Sequence, residues 1–476
     1  MGFIARLIKN KFNVPGCAGA RLLRRCAWLA MATALASCAS LPDIRYLSQR
    51  LDANESPTVL NGGRNLNPQR TQSLLAQHLR RSHVNLERLA ALEEAATGSP
   101  LIAGNKVQLL FDGPQTIGAM MDAIRSATNH VNLETYIFDA DELGTKFADL
   151  LIEKQHQGVQ VNIIFDSVGT LGTPTAFFAR LRAAGINLTE FNPVNPLKYI
   201  GNAWRLNNRD HRKILVVDGK IGFAGGVNIA KDYANSSLFR SRGRVNQELG
   251  WRDTHLRIEG PAVASLQTLF LRTWASQRKE DLPDLEYFPA LPNAGNQVLR
   301  VIASEPGGNF EIFKAYAVAL GQAQKSIHLT VSYFAPDVQI LDQILRAARR
   351  GVDVEMIFPG VSDASLAFFA GRSFYEDLLA AGVRIFELQA SVLHAKTGVI
   401  DGAWSTVGSA NIDIRSFLHN SEINVVVLDE GFGKAMESAF QEDLKNAKEV
   451  TRSQWDQRPA GERLKEWASR NFDYFL

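Results

Sequence analysis

The sequence predicts an α/β protein in which one α/β domain occurs twice and is preceded by a helical extension. Three observations predict this fold class. Strand-like and helix-like stretches alternate from about Val107 onward, which is the pattern of an α/β fold. The same order of stretches returns after about residue 295, as expected for an internal duplication. Each half then ends in the same spacing of His, Lys and Asp.

Length, composition and charge agree with a two-domain globular protein. A chain of 476 residues exceeds what one hydrophobic core usually holds, and 46% hydrophobic with 21% charged residues is ordinary for a globular chain. The formal net charge of +3 comes from the first 37 residues, which carry six basic and no acidic side chains. Removing those six from the 52 basic residues leaves 46 against 49 acidic residues. A protein that holds a long nucleic acid usually shows a basic excess, so we expect no nucleic-acid partner.

Residues 1–37 have the features of a lipoprotein-type signal peptide. A basic cluster at 21–25 precedes an apolar run at 26–37, which is too short to span a bilayer comfortably but suits the core of a signal peptide. The run ends in Leu-Ala-Ser before Cys38. This ending resembles the lipobox of bacterial lipoproteins and implies a lipidated Cys38 that attaches the chain to a membrane. The alternative is a short uncleaved anchor with an incidental cysteine.

The resemblance to lipoproteins also implies a location. The mature chain would be anchored in the bacterial cell envelope and face the periplasm, and the absence of Asp after Cys38 favours the outer over the inner membrane. The three cysteines, Cys17, Cys26 and Cys38, all lie near the N-terminus. The body beyond Cys38 therefore cannot form an internal disulfide or a cysteine-ligated metal site.

Residues 38–104 are the predicted helical extension. The stretch TQSLLAQHLRRSHVNLERLAALEEAA has apolar residues at intervals of three and four, which predicts an amphipathic helix. The extension has no counterpart later in the chain, so we expect it to be either a spacer or a cap packed on the body.

The two repeats follow, separated by a Pro- and Asn-rich linker at 282–296. The first repeat, 105–281, alternates between strand and helix as VQLLFDG, PQTIGAMMDAIRSATN, HVNLETYIFD, LGTKFADLLIEKQHQG, VQVNIIFD, PTAFFARLRAAG and INLTEF. The second repeat, 297–476, has the same order in QVLRVIAS, FEIFKAYAVALGQAQ, SIHLTVSYF, VQILDQILRAARRG, VDVEMIFPG, FYEDLLAAG and VRIFEL. Their junctions also match in type, as Gly158-Val159 does with Gly351-Val352. We expect the second repeat to end in a helical tail.

Each repeat contains the pattern His-x-Lys-x4-Asp on a strand that ends in a tight turn. Side chains two apart on a strand share a face, so the His and Lys of each motif point the same way. The Asp-Gly pair that follows is a strong hairpin signal, and a pair of small residues and an Asn come after it at equal offsets. The two sets are His211, Lys213, Asp218, Gly226 and Asn228, and His394, Lys396, Asp401, Ser409 and Asn411.

The chemistry of these residues favours an anionic substrate. A Lys two residues from each His places an ammonium group beside the site, which disfavours a metal ion, and we expect no metal and no cofactor. Two Lys and two Asn can cradle a phosphate. Two His beside it can supply a nucleophile and a general acid. The pattern therefore predicts metal-independent phosphoryl-type catalysis through a covalent intermediate.

The two motifs resemble those of the phospholipase D superfamily. Within it, WRDTHLRIEGPAV and SANIDIRSFLHNSEINVVVLDE resemble the bacterial cardiolipin synthases, and the resemblance covers about residues 105–445. It implies two phospholipase D-like α/β sandwich domains packed face to face, with both motifs in one site. It also implies His211 as the nucleophile and His394 as the general acid and base. The phosphoryl oxygens would be held by Lys213, Lys396, Asn228 and Asn411, supported by Gly226 and Ser409.

Four carboxylates are given supporting roles. The resemblance implies an orienting acid downstream of each motif, and Asp253 and Glu422 lie on apolar strands that fit this role. The alternative for each is a solvated acid on a strand face. Asp218 and Asp401 belong to the catalytic motifs, but we expect them to hold the turn and a local salt-bridge network rather than to react.

The resemblance implies transfer of a phosphatidyl group between two phospholipids through a phosphatidyl-histidine, with cardiolipin formed from two molecules of phosphatidylglycerol. Phospholipase D hydrolysis to phosphatidic acid, another phosphodiesterase or nuclease activity, and a non-catalytic lipid-binding lipoprotein are the alternatives. One chain carries both motifs, so we expect an active monomer. Residues 191–208, with Tyr199 and Trp204, are expected to form either a lip that admits acyl chains or an ordinary loop.

Overall fold

The computed structural model describes residues 40–45, 56–78, 86–195, 206–234, 250–278 and 280–471. The predicted signal peptide, the predicted lipidation site Cys38, and Tyr199 and Trp204 of the predicted lip lie outside the described residues. Among the helices that are described, none is both long enough and apolar enough to cross a membrane.

The N-terminal extension contains a short hairpin and two helices. Its elements are β1 (Val59–Asn61), β2 (Arg64–Asn65), α1 (Pro68–His78) and α2 (Leu86–Thr97). The two helices overlap the stretch, residues 71–96, for which the sequence predicts an amphipathic helix.

The first repeat has every strand and helix that its sequence pattern predicts. Its elements are β3 (Leu101–Leu110), α3 (Gly113–Ser126), β4 (His130–Thr135), α4 (Glu142–His156), β5 (Gln160–Asp166), α5 (Thr175–Ala183), β6 (Asn187–Phe191), β7 (Arg209–Asp210), β8 (Ile214–Val217), β9 (Ile221–Gly225), α6 (Lys231–Ala234), β10 (Trp251–Arg252), β11 (His255–Glu259) and α7 (Val263–Gln277).

The second repeat follows the same plan and adds helices at its end. Its elements are β12 (Gln297–Ser304), α8 (Glu311–Gln322), β13 (Ser326–Val331), β14 (Phe334–Ala335), α9 (Val338–Arg349), β15 (Asp353–Pro359), α10 (Ser365–Arg372), α11 (Tyr375–Ala380), β16 (Arg384–Leu388), β17 (Val392–Leu393), β18 (Lys396–Ile400), β19 (Trp404–Gly408), β20 (Ile412–Asp413), α12 (Ile414–Leu418), β21 (Asn420–Leu428), α13 (Glu430–Leu444), β22 (Ala447–Val450), α14 (Arg452–Asp456) and α15 (Ala460–Arg470). Residues 282–296, the predicted linker, contain neither helix nor strand.

The strand order of the two repeats is the same, which confirms the internal duplication. In the first repeat the order is β3-β11-β9-β8-β4-β5-β6. In the second it is β12-β21-β19-β18-β13-β15-β16. The last three strands of each series are parallel and the others antiparallel. Strands β3 and β12 pair with each other, so the two sheets join at this edge.

Local sequence signals explain why the elements begin and end where they do. The side chain of Asp112 caps α3 by accepting from the backbone N–H of Gln115 at 3.0 Å, and Asp141 caps α4 in the same way. The matched junction glycines, Gly158 and Gly351, both adopt a φ of 89° just after a helix. Only glycine takes this conformation without strain, so it ends the helix and redirects the chain into the next strand.

The two repeats pack face to face around a shared core, as the sequence resemblance implied. One cluster of buried residues includes Ile214 and Leu256 of the first repeat together with Val399 and Ile423 of the second. Two further clusters lie within the individual repeats, between each sheet and its helices. Since the sheet is covered on both faces, the central strands β4 and β8 of the first repeat are buried along their whole length.

The N-terminal extension is a cap on the second repeat. Helix α2 places Glu93 in the core, where it forms an ion pair with Arg300 at 3.0 Å and both side chains are fully buried. The indole Nε1 of Trp404 donates to the same carboxylate at 3.0 Å. Burial raises the pKa of Glu93. A buried ion pair fixes how the cap docks, because removing either partner would leave an unpaired charge in the interior.

Candidate active site

Two short strand pairings between the repeats bring the motifs together. Strand β7 pairs in parallel with the start of β21, and β10 pairs in parallel with β17. As a result the backbone N–H of His211 donates to the carbonyl of Ser421 at 2.9 Å, and that of His394 donates to the carbonyl of Arg252 at 2.8 Å. Each motif histidine therefore lies beside the residue that precedes the predicted orienting acid of the other repeat.

The histidines are paired with carboxylates across the two repeats. The Nδ1 atom of His211 lies 3.0 and 3.1 Å from the carboxylate oxygens of Glu422. The Nδ1 atom of His394 lies 2.7 Å from Oδ2 of Asp253. Both carboxylates are fully buried, whereas the His211 and His394 side chains are 12% and 7% exposed. The structure thus places Asp253 and Glu422 in contact with the histidines and not on a solvated strand face.

Electrostatics leave His211 neutral. Burial lowers its pKa to about 4. Burial alone would raise the pKa of Glu422, but His211, Lys213 and the hydroxyl of Ser409 bring it below its ordinary value. An ionised carboxylate only accepts hydrogen bonds, so Nδ1 of His211 carries the proton and its Nε2 carries a lone pair.

The surroundings of His394 differ. Burial lowers its pKa well below the usual value, and Lys396 and Lys213 act in the same direction. Its partner Asp253 has a pKa raised by burial. The Nδ1 atom of His394 also lies 2.9 Å from Nζ of Lys396 and 3.3 Å from the hydroxyl of Tyr233. His394 is therefore more enclosed than His211.

The two motif lysines are buried beside the histidines. Nζ of Lys213 donates to the carbonyl of His211 at 2.6 Å, and Nζ of Lys396 donates to the carbonyl of His394. Burial lowers the pKa of Lys213 to about 7 and that of Lys396 to about 8. Lys396 also lowers the pKa of Lys213 by repulsion, so an anion bound between the motifs would be strongly favoured.

The small residues after each turn support the orienting acids. The hydroxyl of Ser409 donates to Glu422. Gly226 lies against Asp253 so closely that any side chain at this position would collide with its carboxylate. Both positions therefore lie against the carboxylate of their own repeat, Ser409 through its hydroxyl and Gly226 through the absence of a side chain.

The two asparagines already have partners. Nδ2 of Asn228 donates to the hydroxyl of Tyr233 at 2.7 Å, and its Oδ1 accepts from the backbone N–H of Ile137 at 3.1 Å. Oδ1 of Asn411 accepts from the hydroxyl of Ser332 at 2.7 Å. If Asn228 bound a phosphoryl oxygen, the side-chain amide of Asn228 would have to contact both that oxygen and the hydroxyl of Tyr233.

The motif aspartates hold turns at the far ends of the motif strands. Asp218 and Asp401 both have a φ of 53° and are followed by glycines with positive φ, which gives the tight turn that Asp-Gly predicts. The Asp218 carboxylate accepts from the backbone N–H groups of residues 128–130 and from the Thr128 hydroxyl. The Asp401 carboxylate accepts from the backbone N–H groups of residues 324–326. These contacts are to amides and a hydroxyl rather than to the cations of the expected salt-bridge network.

Two buried arginines tie the repeats together behind the site. Arg212, between the motif His and Lys, donates to the carbonyls of Glu422 and Ser304 at 3.2 Å each and forms an ion pair with Glu305 at 3.0 Å. Arg252, next to Asp253, forms a two-pronged ion pair with Asp443 of α13 at 2.8 and 2.9 Å. Each arginine fixes a segment of the site, because Arg212 follows His211 and Arg252 precedes Asp253.

Sequence reasoning missed the aromatic residues around His394. The rings of Trp251, Tyr233 and Tyr333 have their centroids 4.8, 5.8 and 6.4 Å from that of the imidazole. The Tyr333 hydroxyl donates to Asp363 at 2.7 Å. On the other side, Tyr136 contacts the His211 ring at 5.0 Å. The only signal in the sequence was that Trp251 directly precedes Arg252 and Asp253. Across the described residues, no group of three or more His, Cys, Asp or Glu side chains is arranged to hold a metal ion.

Comparison with known proteins gives the same result as the geometry. The sequence model of the family described as "Cardiolipin synthase, PLD-like domain" matches residues 120–274 and 316–444. The cardiolipin synthase of Geobacillus thermodenitrificans is 36% identical over 374 residues, which are 78% of this chain and 72% of that protein. The major cardiolipin synthase ClsA of Bacillus subtilis is 35% identical over 372 residues, 77% of this chain and 74% of that protein.

A solved structure supports the fold. The phosphatidylserine synthase of Haemophilus influenzae superposes with a TM-score of 0.57 at 13% identity and covers 78% of this chain and 95% of its own. At this identity the likeness concerns the fold alone. From the matches in sequence, the chain belongs to the cardiolipin synthase family of phospholipase D-like enzymes.

Proposed function

We propose that this enzyme transfers a phosphatidyl group from one phospholipid to a hydroxyl of another. Phosphatidylglycerol is the donor and the acceptor, and cardiolipin and glycerol are the products. The observation that carries the proposal is the pair of histidine–carboxylate contacts made across the repeats, with a buried lysine beside each histidine. The relatives described as cardiolipin synthases support the choice of substrate.

In the first step His211 is the nucleophile. Its Nε2 attacks phosphorus, the bond between phosphorus and the glycerol oxygen breaks, and His394 gives a proton to the departing alkoxide. Glu422 holds the Nδ1–H of His211 and stabilises the positive charge that develops on the ring. The product of this step is free glycerol and a phosphatidyl group bonded to His211.

In the second step His394 acts as the base. It removes a proton from a hydroxyl of the second phosphatidylglycerol, whose oxygen attacks phosphorus as the P–N bond to His211 breaks. The negatively charged phosphoryl group raises the pKa of both lysines and of His394, which opposes the effect of burial. Lys213 and Lys396 are the groups that hold its oxygens, because they are the buried cations next to the histidines.

A product assay tests this proposal. The full chain in mixed micelles with phosphatidylglycerol should yield cardiolipin and glycerol, identified by mass. His211→Ala and His394→Ala should abolish both products. His328→Ala is a matched control, because His328 is also paired with a carboxylate, Glu437 at 2.6 Å, but lies outside the site. Phosphatidic acid as the sole lipid product would instead make the enzyme a phospholipase D.

We further propose that Cys38 is lipidated and anchors an active monomer at the periplasmic face of the cell envelope. The lipobox-like sequence before Cys38 supports the anchor, and the presence of both motifs in one chain supports the monomer. Metabolic labelling with a fatty acid should mark the wild-type protein and not Cys38→Ser, and fractionation should then locate the wild type in one membrane. Equal labelling of both proteins would overturn the anchor.

A further inference from the structure

Helix α15 is packed with its polar side inward and its apolar side outward. Glu466 and Ser469 are buried, whereas Leu464 and Trp467 are 64% and 67% exposed. Leu464 and Trp467 are three residues apart and so share one face of the helix. An amphipathic surface helix normally turns its apolar face to the core. The outward face of α15 is therefore a candidate contact surface.

Ion pairs fix this orientation. Glu466 lies 3.4 Å from Arg372 and 2.9 Å from Arg458, and Glu462 lies 3.3 Å from Arg372. Rotating α15 to bury Trp467 would break these pairs and leave charged groups of the interior without partners. The exposure of the apolar face is thus built into the packing of the helix.

Basic side chains are exposed next to the apolar face. Both acids of α15, Glu462 and Glu466, are tied to arginines on the inward side. Arg463 and Lys465 are exposed on either side of Leu464. Exposed apolar residues that include a Trp and are flanked by basic residues are typical of helices that lie in the interface of an anionic bilayer.

The helix is connected to the active site by direct packing. Helix α15 packs on α10, and Lys465 lies over the ring of Phe369 in α10 at 5.1 Å. The loop before α10 carries Asp363, which accepts from Tyr333 at 2.7 Å. The Tyr333 ring in turn contacts that of His394. A surface at α15 is therefore continuous with the loop beside a catalytic histidine.

We propose that α15 docks the enzyme on an anionic phospholipid bilayer. Leu464 and Trp467 enter the interfacial region, and Arg463 and Lys465 contact lipid phosphates. The proposal rests on the proposed function in one respect, since it takes the partner to be the phospholipid surface that supplies the substrate. It goes beyond that function because it assigns a second contact with the membrane, separate from Cys38 and from the active site.

The first test measures the position of Trp467. The full chain is reconstituted in vesicles of phosphatidylcholine and phosphatidylglycerol, with or without brominated acyl chains. The fluorescence of Trp467 is obtained by subtracting the emission spectrum of the Trp467→Phe variant, which keeps an aromatic ring, from that of the wild type. We expect brominated lipid to quench this difference, because the indole lies at the depth of the upper acyl chains. A difference unaffected by bromination overturns the proposal.

The second test measures the effect on transfer. Leu464→Ser combined with Trp467→Ser should lower the rate on vesicles about tenfold, since two apolar side chains lose their contact with the bilayer, and leave the rate in micelles unchanged. Phe288→Ser, at a residue that is 52% exposed far from this helix in sequence, should change neither rate. An equal loss in micelles and vesicles would contradict docking.

Two further outcomes separate the possible explanations. If sedimentation gives a smaller mass for the detergent-solubilised double variant than for the wild type, a second copy of the chain covers α15 and the proposal is wrong. If no variant forms cardiolipin under any condition, the proposed function fails. The quenching of Trp467 by brominated lipid would still report whether α15 contacts the bilayer.

Discussion

Because its active-site lysines are buried, the activity of this enzyme should begin to fall with rising pH well below the pH at which exposed lysines titrate. Burial lowers the pKa of Lys213 to about 7 and of Lys396 to about 8, from an ordinary value of 10.5. The charged form of a lysine is the protonated form, so each loses its charge as the pH rises through its own pKa. The free enzyme should therefore lose its capacity to bind a phosphodiester above neutral pH.

The size of the effect follows from these values. If both ammonium groups must be charged, the loss of their protons lowers kcat/KM by a factor of about ten per pH unit between about pH 7 and 8 and of about a hundred per unit above about pH 8, in addition to the effect of the proton that His394 must carry as general acid. On the acid side the pKa of His211 is about 4, so protonation of the nucleophile should lower kcat/KM below about pH 4. Bound phosphate raises the pKa of both lysines, so the limb in kcat should lie at higher pH than the limb in kcat/KM.

The assay is a pH profile of kcat/KM and of kcat in mixed micelles. Lys213→Arg keeps a positive charge at every accessible pH and serves as the control. Its rate should be lower, but its profile should lose one of the two lysine steps, so that its steepest fall is about tenfold per pH unit shallower than that of the wild type. A wild-type profile that stays level to about pH 9 would refute the reasoning, because Lys213 would then be uncharged in the active enzyme.

Three other predictions concern the supporting residues. Glu422→Gln replaces a charge-assisted hydrogen bond to His211 worth about 2–3 kcal/mol, so kcat should fall about 30- to 150-fold; an unchanged kcat in steady-state assays would exclude the orienting role. Asp218→Ala removes the acceptor of three amides and a hydroxyl and should lower the free energy of unfolding by about 2–4 kcal/mol. Urea titration measures this loss, and a lower kcat without lower stability would contradict the turn-holding role. Arg300→Met leaves the buried Glu93 without its partner and should lower the free energy of unfolding, measured by urea titration, by about 3–5 kcal/mol. Adding Glu93→Leu should restore most of this stability. If the single and the double variant were equally destabilised, the ion pair would be contradicted.

The repeated fold could be predicted because its signals are local. The parallel strands β5 and β15 are short and rich in apolar residues, and the helices have an apolar period of their own. The matched glycines at 158 and 351 gave the register between the repeats. The motif residues were predictable for the same reason, since each set lies within one strand and its turn.

The pairing of histidines with acids could not be predicted. His211 is 211 residues from Glu422, and His394 is 141 residues from Asp253. They meet through two-residue pairings, β7 with β21 and β10 with β17, which are too short to leave a pattern in the sequence. The aromatic residues around His394 were missed for a similar reason, because they come from separate loops that only the packing of the repeats brings together.

The orientation of α15 was equally hidden. The spacing of apolar residues in the sequence 460–470 shows that the helix has an apolar and a polar face. Surface helices normally pack with the apolar face toward the core. Here the inward face is chosen by Arg372 and Arg458, which lie outside the helix and bind its acids. A helical wheel contains no information about such partners, so it would place Trp467 on the wrong side.

The most direct test of the account is to trap the phosphatidyl group on His211. A phosphatidyl ester of p-nitrophenol has a leaving group that departs without a proton from His394. His394→Ala should therefore release a burst of about one nitrophenolate per enzyme and then stall, since no base activates the acceptor. Peptide mass analysis should find the phosphatidyl group on His211. A burst from His211→Ala and none from His394→Ala would contradict the account and make His394 the nucleophile.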